Sequence, residues 1–359
     1  MNRKTMSGDR GFAATVIESG ASALGSYAAE RLFELAPETR TQFADGAAES
    51  WRAHLSSRLI ELAAAVRLGE PRLFVSRVLW ARRAFVYRDV PTQHLETSLV
   101  ALEDVLLREL SDGLSEGAIP ILREAREALG RAPRDGRDEA GGVLKDERAL
   151  RYLAAVLEGD ARRAVDLLVA MVDAGAHARD VILEVLVPAQ REIGRMWHAA
   201  DSDVAEEHLL TATTIRALSV LGTLGRAEPS NGRTVVIAAV QGNQHDIAVC
   251  ALGILFEWAG WKSIVLGANV PTFDLIRSVQ YFDADLLVLS VALATQLGDA
   301  SRTIVATQSV PGLVLPVMVG GSAFEDGDEL WRRIGADGYA SSLETAVDEG
   351  LRLVTASRG

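Results

Sequence analysis

The chain has 359 residues, a length that predicts two or three domains rather than one. Apolar residues make up 48% of it and charged residues 24%, which excludes an intrinsically disordered chain. Acidic residues outnumber basic ones 49 to 37, and the net charge of −12 argues against direct binding to DNA or to an anionic membrane surface. Cys250 is the single cysteine, so an internal disulfide framework and a cysteine-built zinc site are also excluded.

Targeting signals are not evident. The first residues include two early basic side chains but no apolar stretch behind them, so they do not form a secretory signal. The longest apolar stretch, about 284–294, is far shorter than the ~20 residues that cross a bilayer. We therefore expect a cytoplasmic protein without a membrane anchor.

Residues 1–135 have helical periodicity. Leu55, Leu59, Leu62 and Val66 recur at spacings of three and four, and the stretch 95–106 repeats the pattern. Prolines fall between these apolar patterns, where they start or stop helices. The region is predicted to be an all-α domain, followed by a charged, glycine-containing linker over 136–147.

Residues 148–228 are predicted to form a four-helix bundle. Asp160 has the position of a helix N-cap, and Asp203 with Glu206 has the form of a capping box. Between them, Pro188 is expected to kink or restart a helix, because proline cannot donate a backbone hydrogen bond.

Residues 229–359 alternate strands with helices. Continuous apolar runs cover 234–240, 263–268, 285–293 and 315–321, and a shorter fifth run covers 335–340. Helical stretches of about 10 to 15 residues between them predict a doubly wound parallel sheet, which binds ligands at the carboxyl ends of its strands. His245 follows the first strand, where a neutral imidazole could bind a transition metal. A loop histidine considered alone is more often structural.

The surroundings of His245 resemble the cobalamin-binding domain family, in the loop, the following helix and the GANVP sequence at 267–271. The resemblance implies that His245 is the lower axial ligand of cobalt. Ala248 stands where the family has glycine. Asn243 stands where it has an acidic residue, and because an amide makes the imidazole less basic than a carboxylate does, the His245–cobalt bond is expected to be weaker. The alternative is a flavodoxin-like domain with turn glycines. The cobalamin-binding residues implied are Asn243, Gln244, His245, Asp246 and Ile247 in the loop, Ser290, Val291 and Leu293 along the nucleotide tail, and Gly320 and Gly321 at the fourth strand.

The bundle has a second motif: Trp197, nine residues, then Glu207 and His208. This spacing resembles the light-sensing cobalamin proteins, in which the bundle covers the upper face of the cobalt. The resemblance implies that Trp197 packs on the 5′-deoxyadenosyl group and that Glu207 bonds its ribose or adenine, with His208 beside it. His198 is an ordinary helix-end residue or a second imidazole that caps the cobalt once light has removed the adenosyl group.

The N-terminal region resembles a bacterial globin over 31–43 and 80–110. Ala84 or Phe85 occupies the approximate place of the proximal histidine, which argues against haem. A globin-like domain without that ligand is either a structural or dimerising module or a domain that binds a linear tetrapyrrole. With the cobalamin module, the layout resembles a photocobilin, which implies a bilin such as biliverdin. The bilin is held noncovalently because the region lacks cysteine. The residues implied for it are Trp51, Trp80, Arg82, Arg83, Phe85, Tyr87, Arg88 and His94, each of which could instead be a core aromatic or a surface arginine.

These observations predict a multi-domain chain with an all-α globin-like N-terminal domain, a four-helix bundle and an α/β Rossmann-like (flavodoxin-like) cobalamin-binding domain. We expect a non-enzymatic light sensor that uses adenosylcobalamin, forms a homo-oligomer such as a dimer, and signals to an unidentified protein partner. The alternatives are a corrinoid methyl-carrier protein and a cobalamin-dependent antirepressor that binds a transcription factor. Mutase chemistry is disfavoured because a substrate barrel of ~250 residues is missing.

Overall fold

The computed structural model describes residues 3–41, 46–87, 90–132, 144–198, 202–327 and 329–357. The chain divides into two compact units, residues 1–140 and 141–359. The predicted bundle and the predicted sheet lie together in the second unit. The predicted linker lies outside the described residues up to position 143, and its last residues already cap the first helix of the second unit, because Asp146 accepts a hydrogen bond from the Arg148 amide.

The first unit is helical, as the sequence predicts. Its helices are α1 (Arg3–Leu35), α2 (Ala47–Leu68), α3 (Arg72–Tyr87), α4 (Thr92–Glu109), α5 (Asp112–Ser115) and α6 (Ile119–Arg131). The periodic residues Leu55, Leu59, Leu62 and Val66 are all buried, so the three–four spacing marks the inner face of α2. Helix α1 approaches α2 closely at Gly25, where a Cβ atom would lie 2.9 Å from the Ser56 backbone nitrogen. The likeness to a globin remains a prediction.

The interior of the first unit contains polar side chains. Arg58 and Glu61, both nearly inaccessible, form an ion pair at 2.8 Å. His54 packs beside both Trp51 and Phe85, with ring centroids 5.5 Å and 5.7 Å away. Burial, and secondarily the charge of Arg58, lowers the pKa of His54 to about 3. His54 is therefore a neutral histidine in an aromatic cluster.

The second unit begins with four helical segments around one core. They are α7 (Glu147–Leu157), α8 (Ala161–Asp173), a long helix that runs from α9 (Ala178–Val181) into α10 (Val187–His198), and α11 (Val204–Leu224). The predicted caps are present: Asp160 accepts from the Arg163 amide, and Asp203 and Glu206 form a reciprocal capping box. Buried side chains such as Tyr152, Leu168 and Ile182 form the core.

Pro188 does not restart a helix, in contrast to one of the two expected outcomes. The turn Ile182–Leu186 is π-helical, and the Val187 amide donates to the Ile182 carbonyl five residues earlier. A widened turn accommodates the missing donor and the ring of the proline, so the helix continues through it. The π turn also sets the phase of α10 relative to the preceding helix.

The rest of the second unit is a parallel five-stranded sheet in the order β2-β1-β3-β4-β5, as expected for a Rossmann-like domain. Its strands are β1 (Thr234–Val240), β2 (Lys262–Val270), β3 (Leu286–Ser290), β4 (Val317–Gly320) and β5 (Gly338–Ala340). The intervening helices are α12 (Ile247–Trp258), α13 (Thr272–Tyr281), α14 (Leu297–Gln308), α15 (Leu330–Arg333) and α16 (Leu343–Ser357). The parallel-sheet prediction is confirmed.

One face of the sheet packs against α12 and α16. Val235 and Ile237 of β1 contact a core that contains Phe256 and Leu353. Helix α12 also packs on the bundle, because Ala251 belongs to the bundle core. Bundle and sheet therefore share α12. None of the described helices is long and apolar enough to span a membrane.

We predict that His54→Leu reduces the acid sensitivity of folding. Above about pH 6.5 the histidine is neutral in both states, whereas between 6.5 and 3 only the unfolded chain binds the proton, so stability falls as pH falls. The free energy of unfolding of the wild type should drop about 2 kcal/mol more than that of the variant between pH 6 and 4.5. Urea titrations at several pH values measure this difference.

The control is His177→Gln, which changes an exposed histidine. It should follow the wild type at every pH. Parallel pH profiles for His54→Leu and the wild type would contradict the account of His54.

Candidate functional site

A cavity of 520 Å³ lies in the second unit, between the bundle and the carboxyl ends of strands β1, β3, β4 and β5. The helices α10 and α11 provide one wall with Val187, Gln190, Arg191, Glu207 and Thr211. The opposite wall consists of loops that follow the strands, and it includes Gln244, His245, Asp246, Ile247, Ser290, Leu293, Gly320 and Gly321. This is the edge at which doubly wound sheets bind ligands.

His245 is oriented by the side chain of Asn243. The Oδ1 atom of Asn243 lies 2.9 Å from His245 Nδ1 and accepts a second hydrogen bond, 3.0 Å long, from the His245 backbone amide. The other end of the same amide donates to the Ser290 carbonyl at 3.0 Å. Asn243 is fully buried and does not itself line the cavity.

These contacts determine the tautomer of His245. The Nδ2 group of Asn243 is committed to the Ser290 carbonyl, so the atom that faces the imidazole is a carbonyl oxygen, which can only accept. The proton of a neutral imidazole must then be on Nδ1, and Nε2 keeps its lone pair. An Nε2 lone pair on a cavity wall is the donor that a borderline transition metal such as cobalt prefers. The residues present thus fit the lower ligand of a corrinoid.

The loops after β3 and β4 form the deep part of the cavity. Gly321 has a φ of 114°, and a Cβ atom there would lie 2.2 Å from the Val291 carbonyl oxygen, so only glycine fits. Val291 is itself fully buried, and its amide donates to the Gly320 carbonyl at 2.9 Å. Val291 therefore joins the two loops through its backbone, while the neighbouring Ala292 and Leu293 line the cavity.

The bundle wall presents an acidic side chain. One carboxylate oxygen of Glu207 lies 2.7 Å from His208 Nδ1, and the other accepts from the Thr211 hydroxyl at 2.8 Å. Both bonds fix the direction of the carboxylate and leave further lone pairs on its oxygens for donors in the cavity. Glu207 can therefore accept hydrogen bonds from a ligand on the side opposite His245.

Two residues predicted to lie at the upper face of the cobalt, Trp197 and His208, are not among the described residues that line the cavity. The His208 side chain is 74% exposed, because it is adjacent to Glu207 and so points about 100° away around α11. Trp197 is 36% exposed and lies seven residues, or ~10 Å, beyond Gln190 on the same side of α10. The His198 side chain lies outside the described residues.

Gln190 is a cavity residue that the sequence analysis missed. Its Nε2 atom donates to the Thr214 hydroxyl at 2.7 Å, and Thr214 also bonds the buried Tyr152 hydroxyl at 2.9 Å. This buried network holds Gln190 against the cavity with its carbonyl oxygen available. The available signal was a polar residue one turn before Ile193 on the inner side of an amphipathic helix, where a polar group needs a partner.

The residues proposed for a bilin lie in the first unit, and the structure brings some of them together. Trp51 and Phe85 are buried with ring centroids 6.0 Å apart. Trp80 instead stacks against the Arg77 guanidinium at 4.4 Å, and the His94 ring lies 3.5 Å from a Glu38 carboxylate oxygen.

The arginines of the set differ in burial, since Arg82 is buried and Arg83 is half-buried. Arg88 and the side chain of Tyr87 lie outside the described residues. The sequence analysis omitted His54, although its position one helical turn after Trp51 could have indicated it.

Comparisons with known proteins agree with this geometry. Residues 149–221 and 233–348 each match a family described as a B12 binding domain. The chain is 24% identical over 201 residues to corrinoid protein DSY3155 of Desulfitobacterium hafniense, covering 54% of this chain and 91% of that protein. It is 28% identical over 236 residues to the HTH-type transcriptional repressor CarH of Myxococcus xanthus, covering 64% of this chain and 76% of the repressor.

Among solved structures, the monomethylamine corrinoid protein of Methanosarcina barkeri shares the fold, with a TM-score of 0.50 and 17% identity over 58% of this chain and 98% of that protein. The matched B12 binding domains coincide with the bundle and the sheet of the second unit. The chain is therefore a cobalamin-binding protein related to corrinoid proteins and to that repressor.

We predict that Asn243→Leu weakens cobalamin binding by about tenfold, because outer partners of a metal-binding histidine contribute on this scale. Leucine has a similar volume but neither accepts from the His245 ring nor donates to the Ser290 carbonyl. Equilibrium dialysis measures the affinity, and the absorption spectrum of the bound corrinoid reports its axial coordination.

His245→Ala is the reference for a lost lower ligand. Asn231→Leu is the matched control, because Asn231 also uses both ends of its amide, to the Ala259 carbonyl and the Arg233 amide, in an exposed turn. An Asn243→Leu protein with the affinity and spectrum of the control would refute the orienting role of Asn243.

Proposed function

We propose that this chain is a non-enzymatic light sensor that uses adenosylcobalamin. The observation that carries the proposal is the Glu207 carboxylate, fixed on the bundle wall of the cavity across from the His245 loop. An acceptor in this place suits the hydroxyls or the amine of an adenosyl group. When bound, adenosylcobalamin supplies a cobalt–carbon bond that visible light breaks.

The residues of the chain have distinct roles in this proposal. His245 provides the lower ligand, and Ser290, Leu293 and the glycines of the β4 loop accommodate the nucleotide tail. Glu207 and Gln190 accept hydrogen bonds from the upper group. Trp197 covers that group at the far end of α10, a role taken from the resemblance to light-sensing cobalamin proteins. His198 is proposed as a ligand that caps the cobalt after photolysis.

Only the bundle wall of the cavity would lose hydrogen bonds if the upper group left. Glu207 and Gln190 would then lose their bonds to the ligand but keep those to Thr211 and Thr214, while the loops that hold His245 keep all of theirs. The bundle contacts the sheet domain mainly through α12, where Ala251 and Ile254 pack on the bundle core and Trp258 Nε1 donates to the Gly222 carbonyl at 3.3 Å. We propose that the bundle shifts on α12 and that the shift changes assembly of a homodimer or binding of a protein partner.

The N-terminal unit is proposed to be a globin-like domain that binds a bilin such as biliverdin noncovalently. Its support is the buried cluster of Trp51, His54 and Phe85, with buried Arg58 and Arg82 in the same unit. Aromatic rings suit stacking on a tetrapyrrole, and arginines suit its propionates.

A corrinoid methyl carrier is the second candidate. It is favoured by the similarity to corrinoid protein DSY3155 and to a monomethylamine corrinoid protein. A methyl carrier needs an open upper face for its partner enzyme, and it has no use for an oriented carboxylate there. An antirepressor that binds a transcription factor would share the light-sensing site, and only its partner would distinguish it.

We predict that green light bleaches the absorption bands of adenosylcobalamin bound to the wild-type protein. We also predict that Glu207→Leu weakens binding of adenosylcobalamin more than binding of methylcobalamin. Loss of hydrogen bonds to a fixed carboxylate should cost about tenfold in affinity for adenosylcobalamin and much less for methylcobalamin, which lacks the adenosyl donors. Absorption spectra before and after illumination and competition dialysis measure the two effects.

Glu158→Leu is the control, because Glu158 is an exposed bundle glutamate paired with Arg163. Equal losses for adenosyl- and methylcobalamin in Glu207→Leu would exclude the role of Glu207 as a reader of the adenosyl group. Stable spectra under green light, together with methyl exchange with a methyltransferase, would favour the carrier.

The same spectra test the N-terminal unit when biliverdin is supplied. A red absorption band that decreases in Trp51→Leu, and that persists in His245→Ala, would assign the bilin to the first unit. Absence of a red band from the wild type would leave this unit as an interaction domain.

A further inference from the structure

Gln296 is a buried amide between two loops of the cobalamin cavity. It is 5% exposed and closes the 3₁₀ turn Ala294–Gln296 that follows β3. Its Oε1 atom accepts hydrogen bonds from the Ala292 and Leu293 amides, at 3.1 Å and 3.0 Å. Its Nε2 atom donates to the Gly242 carbonyl at 3.1 Å. One side chain thus connects the β3 loop to the β1 loop.

The β1 loop is held from its other side by Asn269, the penultimate residue of β2. The Oδ1 atom of Asn269 accepts from the Gly242 amide at 2.7 Å, and the Asn269 amide donates to the Asn243 carbonyl at 2.8 Å. Asn269 adopts a φ of 53°, a left-handed conformation that asparagine tolerates better than most residues. Both backbone polar groups of Gly242 are therefore fixed by side chains.

Gly242 directly precedes Asn243, the residue that orients the His245 ring. Ala292 and Leu293, held by the other end of Gln296, line the part of the cavity assigned to the nucleotide tail. We propose that Gln296 is a positioning residue that sets His245 for cobalt and couples it to the loop that receives the tail. The proposal rests on cobalamin binding and on His245 as the lower ligand.

The chemistry of the bridge requires an amide. Gln296 accepts two backbone hydrogen bonds at one end and donates one at the other, whereas a carboxylate can only accept and a thioether does neither well. A glutamate would keep the bonds to the β3 loop and place a negative oxygen against the Gly242 carbonyl. A methionine would remove all three bonds at nearly the same volume.

The effect should be local because the strands do not depend on Gln296. β3 pairs with β1 and β4 through its own backbone, from Leu286 to Ser290. Removing the bridge frees the loops beyond these strands and leaves the sheet paired. The loss should therefore appear in axial coordination more than in the stability of the protein without cobalamin.

The test uses the full chain labelled with ¹⁵N-histidine and loaded with cob(II)alamin. In its electron paramagnetic resonance spectrum, a ¹⁵N ligand splits each cobalt line into a doublet, whereas the ¹⁴N of the cofactor's own base gives a triplet. Gln296→Glu and Gln296→Met are compared with Gln308→Met. Gln308 is the matched control, since it ends α14 and donates to the Gly335 carbonyl at 3.1 Å in an exposed position.

We expect the wild type and Gln308→Met to show the histidine doublet. In Gln296→Met and Gln296→Glu the histidine-bound fraction, relative to protein with a triplet or no nitrogen splitting, should fall by about tenfold, the scale of lost outer partners. Thermal unfolding of both Gln296 variants without cobalamin should stay near that of the wild type. Gln296→Glu remains informative if Gln296→Met does not fold.

Two results would overturn the proposal in distinguishable ways. A full histidine doublet in both Gln296 variants would remove the positioning role and leave the cobalamin site intact. A wild type without a histidine doublet would show that His245 is not the lower ligand, and the assignment on which Gln296 depends would fail.

Discussion

The two-ended hydrogen bonding of Asn243 is the interaction on which the cavity depends. One end of its amide is committed to the Ser290 carbonyl, so the other end must be an oxygen, and that oxygen receives both the ring and the backbone of His245. The loop, the ring orientation and the tautomer are thereby decided by one buried side chain. An aspartate could accept the same bonds from His245 but could not donate to Ser290. Compared with a carboxylate, the amide oxygen is a weaker acceptor and makes the imidazole less basic, but the amide nitrogen connects the ends of β1 and β3 directly.

The bundle wall of the cavity depends on a π turn and on a buried hydrogen-bond network. A π turn before Pro188 changes the phase of α10, so Val187, Gln190 and Arg191 all face the cavity. Gln190 is then held by the Thr214 hydroxyl, which also bonds Tyr152. Burial raises the pKa of Tyr152 to about 12, so its phenol remains neutral and available as a hydrogen-bonding group at any physiological pH. Hydrogen bonds from Thr214 and Tyr152 in the bundle interior therefore hold Gln190 in the cavity wall.

The sequence predicted the architecture where periodicity and caps determine it. β1 spans the predicted residues, and the capping box of α11 lies at Asp203 and Glu206. β3 is shorter than its apolar run because the chain leaves the strand after Ser290, where the loop begins. An apolar run has the same composition whether it continues the strand or forms the loop after it, so composition could not locate the end of β3. Parallel strands bring their carboxyl ends to one edge, so the place of His245 followed from topology, whereas its hydrogen bonds did not.

Other site residues could not be found from spacing. Asn269 belongs to the GANVP stretch of the family resemblance, but its bond to Gly242 was not apparent from it. Gln296 belongs to no recognised motif, and only the fold brings both side chains to Gly242. The adjacency of Glu207 and His208 conceals an angular difference of about 100° on the helix, which places one on the cavity and the other in solvent. A motif identifies residues of a family, but helix phase decides which of them face the ligand.

The two walls of the cavity therefore differ in how they are constrained. On the sheet side, Asn243, Asn269 and Gln296 connect the β1 loop to the β3 loop and to the end of β2 by bonds to backbone groups, so none of these segments can move without breaking bonds to another. On the bundle side, the hydrogen bonds of Glu207 within the described part of the chain go to two residues of its own helix, His208 and Thr211, so its position follows that of α11. A ligand that bridges the walls would hold the bundle in place, and losing its upper part would release only the bundle. In the proposed light sensor, this asymmetry would let one chemical event at the cobalt alter the position of the bundle while the sheet domain keeps the corrinoid.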